Sequence, residues 1–265
     1  MKGYVTMKAI GNYGRFANGA YQVAGIIGIA RRNELTPVFP LWRNTWHRDA
    51  FGSEEDIDIY KHLVNPLPLI PDGIEFQDRV IDWGYHDVEL PAGNWNLSGH
   101  FQSTKYFKHC LDEVRWQLRM KGEPEQNDYC AVHWRAGDYT CEQGYHPRMT
   151  MDYYKPAMAM FPTGQKFLVF SDDIESAKKM FGNAAEYSEG KDYLTDFKLL
   201  KNCRHFIISN SSFSALAAVL GEAEDKQVVA PRPWFGAAYT NITGEDIYNF
   251  NWTVINWQNE REAAA

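Results

Sequence analysis

Apolar and polar positions along this chain form blocks that switch between strand and helix periods. Tyr4 to Ile10 (YVTMKAI) predicts a first strand, and Gly11-Asn12-Tyr13-Gly14 a turn after it. Ala20 to Arg32 is apolar with a basic end, the pattern of a buried helix with cations at its C-terminus. A short strand over Thr36 to Phe39 completes one βαβ unit. Residues 43 to 95 carry acids, prolines and tryptophans without a firm period, so they read as short elements and loops over the first sheet. Asn96 to Gly99 predicts another strand. Ser103 to Met120 predicts a helix with Phe107, Leu111, Val114 and Leu118 on one face.

Lys121 to Asn127 (KGEPEQN) is polar, contains Gly and Pro, and is the best linker in the chain. After it the alternation is cleaner. Strands are predicted at Tyr129 to His133, Lys166 to Phe170, His205 to Ser209 and Gln227 to Ala230. Helices are predicted at Asp152 to Met160, Ile174 to Phe181, Tyr193 to Lys201 and Phe213 to Leu220. This is a doubly wound α/β pattern. Two Rossmann-like domains, 1–122 and 123–265, are the simplest architecture.

Composition narrows the partners. A net charge of −7 argues against a general nucleic-acid or membrane-surface binder, so an anionic ligand has to be held by local arginines. The four cysteines (Cys110, Cys130, Cys141, Cys203) form no C-x-x-C pair, which predicts reduced thiols and no zinc site or disulfide framework. No stretch approaches the roughly 20 apolar residues of a membrane span, and no cleavable signal pattern is present. A soluble, cytoplasmic protein is expected.

Four polar loops fall at predicted strand ends. Gly14-Arg15-Phe16-Ala17-Asn18-Gly19 allows close backbone approach and presents Arg15 and Asn18, although its spacing is not that of a nicotinamide site. His133 and Arg135 alternate at the end of a buried strand, where open α/β sheets bind ligands. The Arg135 fork suits a phosphate oxygen pair, and the alternative is an ion pair with Asp138 or another acid. Ser171-Asp172-Asp173 can accept from a guanine edge, hold a cation, or cap the helix at Ile174. Asn210-Ser211-Ser212-Phe213-Ser214 opens an apolar helix, where the amide end either is capped or binds phosphate. Together the loops suggest a nucleotide cleft between two sheets.

The ordered set of motifs resembles the α-1,2-fucosyltransferases, glycosyltransferase family 11, related to the nodulation and protein O-fucosyltransferases. His133-Trp134-Arg135-Ala136-Gly137-Asp138-Tyr139 is similar to their H-x-R-x-G-D-Y motif, and Gly14-Arg15-Phe16-Ala17-Asn18 to their N-terminal glycine loop. Gly99-His100-Phe101-Gln102-Ser103-Thr104-Lys105-Tyr106-Phe107 resembles their G-Y-F-Q-S-x-K-Y-F segment. Phe170-Ser171-Asp172-Asp173, Ile207 to Ser214 and Val228 to Phe235 follow in the family's order. Ala17, Gly19 and Ala215-Leu216 depart from the pattern and leave the acceptor and linkage open.

The resemblance implies a GT-B-like fold, with two Rossmann-like domains facing across a cleft and the C-terminal one holding the GDP-sugar. It implies inverting transfer of fucose from GDP-fucose to a glycan hydroxyl, such as the 2-hydroxyl of a galactoside, with no metal or other cofactor. Arg135 would hold the pyrophosphate with His133 beside it. Gly14, Arg15 and Asn18 would face the diphosphate and sugar. Asp172 or Asp173 would read guanine, and Ser211, Ser212 and Phe213 would bind phosphate and nucleoside. Asp138, Glu75 and Asp82 are candidates for a base. Trp42, Trp46, Trp83 and Trp95 are candidates for sugar stacking, with packing as the plainer role. Two rivals stand beside this reading: a metal-dependent sugar transferase using Asp172 and Asp173, and a non-catalytic sugar-nucleotide or glycan binder.

Overall fold

A computed structural model describes residues 2–11, 13–44, 57–137, 139, 144–189, 192–249 and 251–257. The chain divides into two compact units, Met1–Gly122 and Glu123–Ala265.

In the first unit, β1 (Tyr4–Thr6) leads into α1 (Phe16–Arg32) and then β2 (Thr36–Pro37). A small antiparallel pair, β3 (Arg43–Asn44) and β4 (Ile57–Asp58), and the single turn α2 (Ile59–His62) follow. β5 (Gln77–Val80), β6 (Trp95–Ser98) and α3 (Leu111–Gln117) complete it. The sheet is parallel, in the order β2-β1-β6-β5. α1 is buried along nearly its whole length, as its apolar run predicts, with Arg31 and Arg32 in its last turn. It begins at Phe16 rather than Ala20, so Asn18 and Gly19 lie in its first turn instead of on the loop.

The single helix expected over Ser103 to Met120 is not formed. Two 3₁₀ turns, Thr104–Tyr106 and Lys108–Cys110, precede a shorter α3. The Ser103 hydroxyl takes the Lys105 N–H, and the chain at Tyr106 and Phe107 presses against α1 at Gly28. A Cβ on Gly28 would overlap the Tyr106 carbonyl and lie 2.7 Å from the Phe107 Cα. Close packing on α1 thus overrides helix propensity here. β5 reads QDRV with every side chain exposed, so no apolar period marked it.

The second unit runs β7 (Asn127–Trp134), α4 (Met151–Met158), β8 (Phe167–Ser171), α5 (Ile174–Phe181), β9 (Glu186–Tyr187), α6 (Tyr193–Lys201), β10 (Cys203–Ile207), α7 (Ser212–Leu220), β11 (Val228–Arg232) and β12 (Thr253–Asn256). Its six strands are all parallel, in the order β12-β11-β10-β7-β8-β9. One face packs on α4 and α5 through Cys130, Val132, Trp134, Tyr153, Tyr154, Ala177 and Phe181. α6 and α7 pack together, with Phe197 against Phe213 at 5.3 Å between ring centroids. The expected strands and helices of this half are present, and the two short strands β9 and β12 are additions. The mixed α/β, parallel-sheet character of the GT-B-like expectation holds for both units.

Candidate active site

Strand order locates a crevice in each unit. In the second unit the chain steps outward from β7 to β8 and β9, then returns to β10 on the other side of β7. The order reverses between β7 and β10, and the loops leaving these strands diverge there. That is where open α/β sheets bind ligands. The two loops are the segment from Arg135 and the Ser209–Ser214 turn. In the first unit the reversal lies between β1 and β6. There the Gly14–Gly19 segment and the Gly99–Gln102 segment meet, with the Gln102 amide donating to Asn18 Oδ1 at 2.8 Å.

Arg135 lies at the second crevice, just past the end of β7. Its side chain is 14% exposed, and its Nη1 lies 3.0 Å from Asp172 Oδ2. The Tyr139 ring centroid is 5.7 Å from its guanidinium carbon. Asp172 also accepts the Ala136 N–H at 2.8 Å and the Gly137 N–H at 3.0 Å. The carboxylate thus joins the end of β8 to the loop after β7. The acid that pairs with Arg135 is Asp172; Asp138 lies outside the described residues. Asp173 caps α5, accepting the Ser176 N–H at 3.0 Å. A hydrogen bond from the Ser176 side chain and the one from its N–H lower the Asp173 carboxyl pKa, with Lys179 and Arg148 adding smaller effects.

His133 is buried beneath this loop. Its Nδ1 is 2.9 Å from both the Ser209 and the Ser214 hydroxyls, and its ring lies 5.5 Å from Phe213. Tyr154 donates to its carbonyl at 2.8 Å. Burial pushes its pKa down to about 4, against a smaller opposing pull from Asp172. It is therefore neutral at physiological pH and ties β7 to α7. Ser211 is the N-cap of α7 and takes the Phe213 N–H at 3.4 Å. The Phe213 ring packs between His133 and Phe197, and Ser212 opens the helix, partly exposed. The amide end of α7 and the Arg135 fork thus flank one crevice, an arrangement suited to an anion.

Three side chains were given no role of their own in the sequence. Arg148 donates to the Ala136 and Tyr139 carbonyls at 2.8 and 2.9 Å. Asn210, 1% exposed, donates to the carbonyls of Pro147 and Trp234 at 3.1 and 3.0 Å and takes the Tyr139 hydroxyl on its own carbonyl at 3.0 Å. It pins together the loops that leave β7, β10 and β11. Gln102 holds Asn18. Asn210 carried a signal as a polar residue at a strand end and Gln102 as part of a family-like segment, whereas Arg148 carried none.

In the first crevice Gly14 has φ +81°, and a Cβ there would overlap the Asn18 amide, so glycine leaves Asn18 its place. Arg15 is the N-cap residue of α1. Trp42 is fully buried, stacked on Phe16 at 5.7 Å and packed on Gly19, so its role is in the core. Trp95 donates to the Pro91 carbonyl, and Trp83 meets the His100 ring edge-on at 5.1 Å; Trp46 lies outside the described residues. Glu75 and Asp82 are exposed. Cys110, Cys130 and Cys203 are free thiols. Among the described residues no three His, Cys, Asp or Glu side chains lie together as a metal site, and no helix is long and apolar enough to cross a membrane.

The family model of glycosyl transferase family 11 matches residues 84–256, from the first unit's loop after β5 to the end of β12. The chain belongs to glycosyl transferase family 11. The O-antigen biosynthesis glycosyltransferase WbnK of Escherichia coli is 35% identical over 171 residues, covering 60% of this chain and 53% of that protein. An alpha-1,2-colitosyltransferase of Escherichia coli is 29% identical over 165 residues, covering 54% and 57%. The matched stretch spans little more than half the length of these two relatives. The fucosyltransferase NodZ from Bradyrhizobium superposes with a TM-score of 0.50 at 13% identity, over 82% of this chain and 93% of that one, and so shares the fold of this family 11 chain.

Proposed function

We propose that this protein is an inverting glycosyltransferase that moves fucose from GDP-fucose to a glycan hydroxyl, the 2-hydroxyl of a galactoside, without a metal. The observation that carries the reading is Arg135, largely buried at the strand-order reversal of the second unit and flanked by the amide end of α7. The second unit takes the donor and the first the acceptor. As the acceptor hydroxyl oxygen bonds to the anomeric carbon and releases its proton to solvent, the bond to the diphosphate breaks on the opposite face and negative charge grows on GDP. Fixed donors aimed at that charge lower the barrier, and removing one typically costs about 10²–10³ in rate. Asp172 and Asp173 are already committed to protein N–H groups and to Arg135, which supports a metal-free site over the metal-dependent rival. The names of the two E. coli relatives support a polysaccharide acceptor and a 1,2 linkage. One of those names also favours a second donor reading, transfer of colitose, a dideoxy relative of fucose.

The test is calorimetric titration with GDP, GDP-fucose, GDP-mannose, UDP-galactose and NAD, followed by turnover on a panel of galactosides with and without chelator. Guanosine compounds should bind selectively, and fucosyl transfer should survive the chelator. Chelator-sensitive transfer would favour the metal-dependent rival. Binding of GDP-fucose without turnover on any acceptor would favour a non-catalytic binder. Faster transfer from a colitosyl donor would favour the second donor reading.

A further inference from the structure

The loop that carries Arg135 is fastened from two sides. Its N–H groups at Ala136 and Gly137 donate to Asp172. Its carbonyls accept from Arg148, at 2.8 Å from Nη2 to Ala136 and at 2.9 Å from Nε to Tyr139. Nε and one Nη of a guanidinium point the same way in one plane, so a single side chain bridges two carbonyls three residues apart. Arg148 is itself held on both flanks. The Pro147 carbonyl accepts from buried Asn210 at 3.1 Å, and the Met149 carbonyl accepts from the Trp134 indole at 3.0 Å. Its backbone is therefore tied to the ends of both β7 and β10, the two strands that border the crevice.

We infer that Arg148 is a positioning residue for the donor: it locks the loop after β7 so that Arg135 meets the diphosphate in one geometry. The inference rests on the donor reading above. Two physical effects support it. Without Arg148 its two hydrogen bonds to the Ala136 and Tyr139 carbonyls are lost and the loop can sample other arrangements. A binding-competent fraction of about one tenth weakens apparent donor affinity about tenfold. The charge of Arg148 also adds to that of Arg135 in drawing an anion.

The experiment measures GDP affinity by calorimetry, donor and acceptor KM, kcat and thermal midpoint for wild type, Arg148→Met and Arg148→Lys. Arg148→Met should raise the GDP Kd and the donor KM about tenfold and leave the acceptor KM unchanged, with partial rescue by millimolar guanidinium. Arg148→Lys keeps the charge but is a single-point donor, so it should fall between wild type and Arg148→Met. A lower midpoint with unchanged GDP Kd would make Arg148 merely structural and overturn the inference. Should Arg148→Met fail to fold, Arg148→Lys decides on the same readouts. Wild type that does not bind GDP would instead overturn the donor reading, and this inference with it.

Discussion

Asp172→Asn separates a loop clamp from a base-reading acid. In the folded protein the Asp172 carboxylate serves three partners, the N–H groups of Ala136 and Gly137 at 2.8 and 3.0 Å and Arg135 at 3.0 Å. The amide is nearly isosteric, but it keeps one acceptor and turns its NH₂ towards groups that are themselves donors. A hydrogen bond to a charged acceptor is worth about 1.5–3 kcal/mol, and removing one partner of a buried ion pair costs about 3–5 kcal/mol. The side chains of Arg135 and Asp172 are 14% and 24% exposed, so solvent screening places the expected cost at the low end, about 3 kcal/mol. Hydrogen exchange reads this locally: the Ala136 and Gly137 amides should exchange about a hundredfold faster, since about 1.4 kcal/mol is a factor of ten. Urea unfolding should give a loss of matching size. The double variant with Arg135→Gln should lose less than the sum of the two single variants, because the guanidinium that faces Asp172 is gone as well. Exchange and stability within about 0.5 kcal/mol of wild type would refute the clamp.

Other outcomes follow from the same geometry. Arg135→Ala should lower kcat/KM by about 10²–10³ with circular dichroism unchanged, and near-normal turnover would remove Arg135 from its role. His133 has a folded pKa of about 4 against an ordinary 6.5, so the folded state binds that proton more weakly than the unfolded chain. Its contribution is complete above about pH 6.5 and declines as pH falls towards 4, by up to roughly 3 kcal/mol. His133→Gln should flatten this limb of the stability–pH curve, and an unchanged slope between pH 6.5 and 4 would contradict the assignment. Gly28→Ala gains about 1 kcal/mol of helix propensity but drives a methyl into the backbone of Tyr106 and Phe107. Overpacking of about 1–3 kcal/mol or more should win, and a raised melting temperature would show that the contact yields.

Much of the second unit is legible in the sequence. Strands of a parallel sheet are covered on both faces, so β7, β8, β10 and β11 read as short apolar runs, and the polar turns that end them stand out. The capping role open to Asp173 is equally local, because its partner Ser176 lies three residues away. The exposed β5 and the broken segment from Ser103 to Met120 were not legible. One has no buried face, and the other is shaped by a glycine on α1 far away in sequence.

By itself, then, the sequence determined the α/β alternation and which loops carry polar chemistry, since hydrophobic periodicity records burial residue by residue along the chain. Tertiary structure alone decided how those loops are wired. Asp172 reaches Ala136 across 36 positions and Asn210 reaches Pro147 across 63, and these meetings depend on strand order. Placing β7 between β10 and β8 is what brings scattered arginines, acids and serines to one crevice.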